Sequence, residues 1–201
     1  MSTLTFPTDI PIRRVEWSLR SRTQSFTSPL SGATQTVELP GAVWSATVVF
    51  ENLTIAQARK LQAFLVRLRG QSGRFRLADP TLAAPQGTAL GTPVVSGAGQ
   101  TGGTLYVSGM TANQTKAFAA GDYIGIGDEL KMVVVDAASD GSGLATLTIE
   151  PPIRVSPANG STVDTTAPTC IMRLVDDEQA RWAMDFEQYT NITVQCVESL
   201  I

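Results

Sequence analysis

The stretch T-I-A-Q-A-R-K-L-Q-A-F-L-V-R-L-R-G, residues 54–70, is the one strongly amphipathic helix that this sequence offers, and the fold is read outward from it. Thr54 and Gln57 stand three apart, so the hydroxyl and the amide can each satisfy a backbone group that a helix start leaves open. Ala58, Leu61, Leu65 and Leu68 recur at steps of three and four, flanked by Ile55 and Phe64, and form one apolar stripe. Gly70 is expected to supply the stop. Arg59, Lys60 and Arg67 lie off the centre of the stripe. A stripe that wide must cover a sheet, and strand-like runs flank it at residues 43–50 and 74–77. A strand, helix, strand unit is therefore the nucleus of a mainly β domain.

Toward the N-terminus, Val15, Trp17 and Leu19 alternate with Arg14, Glu16 and Ser18, the pattern of a half-buried strand. Residues 21–33 are polar and turn-rich and read as a long hairpin tip or flap. Phe26, Pro29 and Leu30 stand in this flap without a strand period, which marks them as contacts for a neighbouring subunit. Residues 35–39 form another strand, Pro40-Gly41 a turn, and Trp44, Ala46, Val48 and Phe50 share one face of the next strand. Residues 1–11 read as an extended arm.

At Asp79-Pro80 the composition changes. Thirteen of the 17 glycines lie between Gly87 and Gly160, but only three of the 13 aromatic residues, so short strands and tight turns are expected there. They fall near residues 104–108, 123–126, 130–136 and 144–149, with Asp140-Gly141 as the strongest turn, Pro151-Pro152 at the exit and a linker over 164–168. After Cys170 the larger apolar residues return, with a strand over 170–175, then Trp182, Met184 and Phe186 alternating, then Ile192, Val194 and Cys196. The last ~33 residues are too few for a core of their own. The expected organisation is thus a discontinuous β domain, residues 1–80 and 165–201, with a small β-barrel inserted at 81–164.

The side-chain inventory narrows the chemistry. With no histidine, Ser-His-Asp and Cys-His catalysis and the commonest zinc sites are excluded. Gly97, Gly99 and Gly102 match a dinucleotide fingerprint, yet they lead into a strand where phosphate binding needs a helix start. Asp128-Glu129 and Asp176-Asp177-Glu178 fall where turns are expected and read as solvated. Trp17, Trp44, Trp182 and Phe186 read as core, and Cys170 and Cys196 as buried thiols. No catalytic set, metal or cofactor is expected. Neither a secretory signal nor ~20 consecutive apolar residues are visible, so a soluble protein made in a cytoplasm, without membrane insertion, is expected. Charge is segregated: residues 1–77 carry 10 basic and 4 acidic side chains, residues 78–164 carry 3 and 8, and residues 165–201 carry 2 and 6, within a net charge of −3. Such asymmetry favours contact between copies and argues against a nucleic-acid-binding face.

Several segments resemble the distal tail proteins of long-tailed, siphovirus-like bacteriophages: S-F-T-S-P-L-S-G at residues 25–32, W-S-A-T at 44–47, and the helix with its exit Q-S-G-R-F-R-L-A-D-P at 71–80. A-G-D-Y-I at 120–124 and G-L-A-T-L-T-I-E-P-P-I-R at 143–154 resemble a small β-barrel module of virion proteins. The resemblance implies a tail-tube-like β-sandwich or barrel domain with one packed helix, plus an OB-like or galectin-like barrel. It also implies a non-enzymatic adaptor that forms a hexameric ring between the tail tube and the tail hub or tip proteins. DNA would pass through the lumen without specific binding, and the protein would reside in the virion tail after assembly in the host cytoplasm. Two other classes stay open: a carbohydrate-binding module that recognises a host surface through the barrel, and a carboxylate-dependent glycan hydrolase.

Overall fold

A computed structural model describes residues 3–80, 84–181 and 190–200. In chain order its strands are β1 (Leu4–Thr5), β2 (Arg14–Thr27), β3 (Thr34–Leu53), β4 (Phe75–Leu77), β5 (Gly91–Val95), β6 (Gly102–Met110), β7 (Tyr123–Ile126), β8 (Glu129–Val133), β9 (Ala145–Ile153), β10 (Val163–Asp164), β11 (Cys170–Leu174) and β12 (Thr190–Glu198). The α-helix, α1 (Ile55–Leu68), follows β3. The fold is mainly β, as the alternating patterns require, and the strands form two six-stranded sheets.

The first sheet has the order β1-β4-β11-β12-β3-β2, antiparallel except at β1–β4. α1 begins with the capping box: Gln57 N–H donates to Thr54 Oγ1 at 3.4 Å, and Thr54 N–H donates to Gln57 Oε1 at 3.0 Å. It buries Ala58, Leu61, Phe64, Leu65 and Leu68. Facing them are Val48 and Phe50 of β3, Phe75 of β4, Met172 of β11 and Val194 of β12, all within one apolar cluster. The helix stop differs from expectation. Arg69 itself takes the left-handed conformation (φ 52°, ψ 52°), and Gly70 continues it at φ 67°, a position where glycine is also needed because a side chain would collide with the Asp177 carboxylate.

The N-terminal stretch is no free arm. Leu4 pairs with Phe75, while Phe6 and Ile10 are buried, and Phe6 lies 5.2 Å from Phe64 and 5.7 Å from Phe75, ring centre to ring centre. Isolated apolar residues without a period fill a core as well as periodic ones do. Two turns expected from the sequence also lie inside strands. Residues 21–27 belong to β2, which leaves a tip of only residues 28–33, and Pro40-Gly41 form a bulge in β3. The expected strand at Trp182, Met184 and Phe186 lies outside the described residues.

The second sheet has the order β10-β7-β8-β9-β6-β5. A bridge between Val94 and Thr162 brings its two edges together, so the sheet curls into a nearly closed barrel. Asp140 caps the expected turn, accepting from the amides of Ser142 and Leu144 at 2.7 and 2.9 Å. Gly102 opens the strand β6, which removes the helix start a dinucleotide would need. Pro151 and Pro152 stay within β9 instead of ending it, and β10 occupies the start of the expected linker. The barrel has its own core, including Leu105, Val107, Phe118, Ile124, Leu147 and Ile149.

Tyr123 and Leu130 belong instead to the apolar cluster of the first sheet. Trp44 makes the junction: its ring meets Tyr123 edge-on at 5.6 Å, and its indole N–H donates to the Leu130 carbonyl at 2.9 Å.

Candidate assembly surface

β2 and β3 run together far beyond the rest of their sheet. Arg20 pairs with Val43 and Arg22 with Leu39, so Ser21 alone faces Pro40, Gly41 and Ala42 in a bulge. Gly41 has φ 105°, a region that L side chains avoid, and proline fits a bulge because no ladder bond is lost there. Beyond the bulge the two strands continue as a two-stranded arm of which every residue is exposed.

The arm's register sorts its side chains. Arg22 and Leu39, Gln24 and Val37, and Phe26 and Gln35 are paired on one face; Thr23 and Glu38, Ser25 and Thr36, and Thr27 and Thr34 are paired on the other. The first face carries Leu39 (42% exposed), Val37 (59%) and Phe26 (66%), with Val37 and Phe26 on the diagonal that long side chains span. The second face is polar throughout, and the Thr27 and Thr34 hydroxyls meet at 3.2 Å. The arm is therefore amphipathic although solvent reaches both faces. At its tip Leu30 is 98% exposed, and Pro29 is exposed beside it.

Arg59, Lys60 and Arg67 occupy the outer face of α1, all exposed. Lys60 is held by Asp9 of the N-terminal stretch, and this contact lowers the pKa of the Asp9 carboxyl. Arg59 and Arg67 make no ion pair among the described residues. The arm and the helix flank do not form one patch. They lie at opposite ends of β3, separated by roughly 45 Å of strand at ~3.3 Å per residue between Leu39 and Leu53.

A second feature shares only Glu129 with the residues singled out from the sequence. Glu198 of β12 is buried between the sheets, where it accepts from the Trp44 amide at 3.0 Å and forms an ion pair with Arg154. Arg154 also donates to the Ala42 carbonyl at 3.2 Å. Next to it, Glu129 accepts from the amides of Arg154 and Val155 at 3.2 and 2.9 Å and from Lys131 at 2.5 Å. The Lys131 side chain is fully buried and donates also to the Pro152 carbonyl at 2.8 Å. Burial alone would raise the Glu129 carboxyl, but Lys131 and the two amides hold it below its usual value. For Lys131 burial dominates and lowers the ammonium pKa against the pull of Glu129. For Arg154 burial pulls the pKa down, but Glu198 and Glu129 together outweigh it and raise it. Glu129 is thus no solvated turn carboxylate, whereas Asp128 is exposed and paired with Arg76. Alternation in β8 would place Glu129 and Lys131 on one face with Val133, the only trace of this cluster in the sequence.

Arg154 stands between two openings. A cleft of about 320 Å³ is lined by Ile126, Ile171, Val155, Pro157 and Leu200 among others, with Asp128 at its rim. A wider one of about 450 Å³ separates Leu39 and Pro40 at the arm root from Pro151 and Pro152. An open groove of about 680 Å³ runs over the barrel wall past Tyr106, Asp136 and Leu144.

The other acidic candidates are engaged locally. Asp176 accepts from the Glu178 amide and the Gln179 side chain, and Asp177 accepts from the Gln71 amide at 2.9 Å. No group of three His, Cys, Asp or Glu side chains among the described residues is placed to hold a metal ion, and no described helix is long and apolar enough to cross a membrane. Cys170 and Cys196 are buried free thiols, and burial pushes Cys196 up to about 12. The chain matches no protein-family model, and no curated protein is found similar to it.

Proposed function

We propose that this chain is a structural virion protein, a distal tail adaptor whose copies close into a hexameric ring between the tail tube and the tail hub or tip proteins of a long-tailed bacteriophage. The observation that carries the reading is the amphipathic arm. Its apolar face is uncovered in the monomer, and apolar surface projecting this far from a domain is a feature of subunits made to be covered by a neighbour. The segmental resemblance at residues 25–32, 44–47 and 71–80 supplies the kind of particle. Charge segregation supports contact between unlike ends of successive copies, the arrangement from which rings are built. In this reading the adaptor performs no chemistry, DNA passes through the lumen without specific binding, and assembly takes place in the host cytoplasm. Light scattering on the purified protein, with negative-stain images of the same sample, tests it: closed rings with an open centre and about six subunits are expected, and a monomer at every concentration overturns it.

One observation favours a second reading, glycan recognition. Tyr106 is 53% exposed in the groove on the barrel wall, where an aromatic face beside Asp136 offers both stacking and hydrogen bonding to a sugar. A glycan array probed with the full chain and with Tyr106→Ala tests it, and specific binding abolished by the substitution is the result in its favour.

A further inference from the structure

We infer that the arm docks head to tail on a second copy of this chain, with Phe26 and Leu30 entering the cleft beside Arg154. This inference rests on the assembly reading above and names the receiving site. Its first support is charge. The arm and its root carry Arg20 and Arg22 against Glu38, whereas the barrel segment, residues 78–164, carries 3 basic and 8 acidic side chains. Locally, Arg20 and Arg22 at the arm root make no ion pair among the described residues, and Asp128, paired with Arg76 of its own chain yet still exposed, lines the cleft. The occupant that suits the arm is therefore the barrel half of a second copy.

Where that barrel meets the first sheet, the cleft beside Arg154 offers apolar walls and room. Its floor contains Ile126 and Ile171, both buried, and its lip carries Val155, 67% exposed, and Leu200, 51% exposed. A dry cavity of ~150 Å³ accepts a benzene ring. About 320 Å³ therefore accommodates a phenylalanine ring together with a leucine side chain. Arm and cleft are different surfaces of one chain, so the contact is heterologous: each copy uses its arm on one side and its cleft on the other, and the chain of contacts either closes into a ring or runs on as a filament.

Complementation between two defective variants tests this. Phe26→Ser/Leu30→Ser disables the arm and keeps the cleft, while Val155→Ser/Leu200→Ser disables the cleft and keeps the arm. All four side chains are exposed, so both variants are expected to keep the wild-type circular dichroism and melting temperature. By light scattering each variant alone is expected at the monomer mass of 21.3 kDa, and an equimolar mixture at twice that mass, because one intact arm meets one intact cleft and neither dimer end can continue. A mixture that stays monomeric while wild type forms rings overturns the arm–cleft assignment and leaves the ring reading in place. A dimer from the mixture, with wild type forming open filaments, supports the assignment and overturns the ring. Retained assembly of the arm variant alone overturns the inference.

Discussion

At the scale of single residues, the costliest arrangement in the molecule is the ion cluster of Glu129, Lys131, Arg154 and Glu198, because burying charge is tolerated only when every group is paired. Lys131 has no exposed side-chain surface, so Lys131→Met leaves Glu129 short of a partner, and a loss of ~3 kcal/mol in urea unfolding is expected. The double variant Glu129→Gln/Lys131→Met is expected to recover part of that loss, which a double-mutant cycle reads directly. The two groups respond to pH with the same sign but in different windows, because both bind their proton more weakly in the folded state. Glu129 is held below its usual value, so its contribution is complete above the unfolded-state value of ~4.3 and is lost as pH falls through the folded value. Lys131 is also lowered, so the folded state binds its proton more weakly, and stability rises as pH climbs toward ~10.4. Urea midpoints of wild type and Glu129→Gln should therefore differ most near neutrality and draw together in acid; a gap that does not narrow as pH falls below ~4.3 counts against the assigned role.

At the scale of elements, α1 depends on both of its ends. Thr54→Ala removes one side of the capping box and is expected to cost ~1 kcal/mol, read by denaturant midpoint. Gly143→Ala is expected to cost ~2 kcal/mol or more in the barrel, since φ is 74° and the added carbon would collide with the Met110 carbonyl. The helix, the half-buried alternation of Val15, Trp17 and Leu19, and most barrel strands were legible because burial on one face writes a period into the sequence. The arm was half legible. Phe26, Pro29 and Leu30 betrayed an uncovered surface, but residues 21–27 looked like a loop because a ribbon with solvent on both faces needs no apolar alternation. Only the pairing with residues 34–39 reveals that Val37 and Leu39 join Phe26 on one face. Arg154 and Glu198 were illegible for a different reason. They are 44 residues apart, each looks like a surface charge at the end of a strand, and their partnership exists only once the end of β9 and β12 are brought together. Short strands such as β5 and β10 owe their existence to barrel closure, with no local signal strong enough to announce them.

At the scale of the whole molecule, the junction between the two sheets decides whether force or binding at the barrel is felt at the arm. The junction is partly apolar core: Tyr123 and Leu130 of the barrel belong to the cluster that α1 covers, and Trp44 ties them to β3 through a ring contact and a hydrogen bond. Unfolding the barrel would strip that cover from the first core, so a single calorimetric transition is expected for the chain. Trp44→Ala removes the ring, the indole donor and the packing on Trp17 and Tyr123, at a cost of ~3–5 kcal/mol. Leu65→Ala, on the buried face of α1, is expected to cost a comparable ~2–5 kcal/mol. Equal damage at different places separates coupling from stability. Leu65→Ala should lower one transition and keep it single, with calorimetric and van't Hoff enthalpies in agreement. Trp44→Ala should split it, the barrel melting apart from the first sheet. If both variants keep a single transition, the coupling runs through Arg154 and Glu198 instead, and Arg154→Met is then the substitution that should divide the melt.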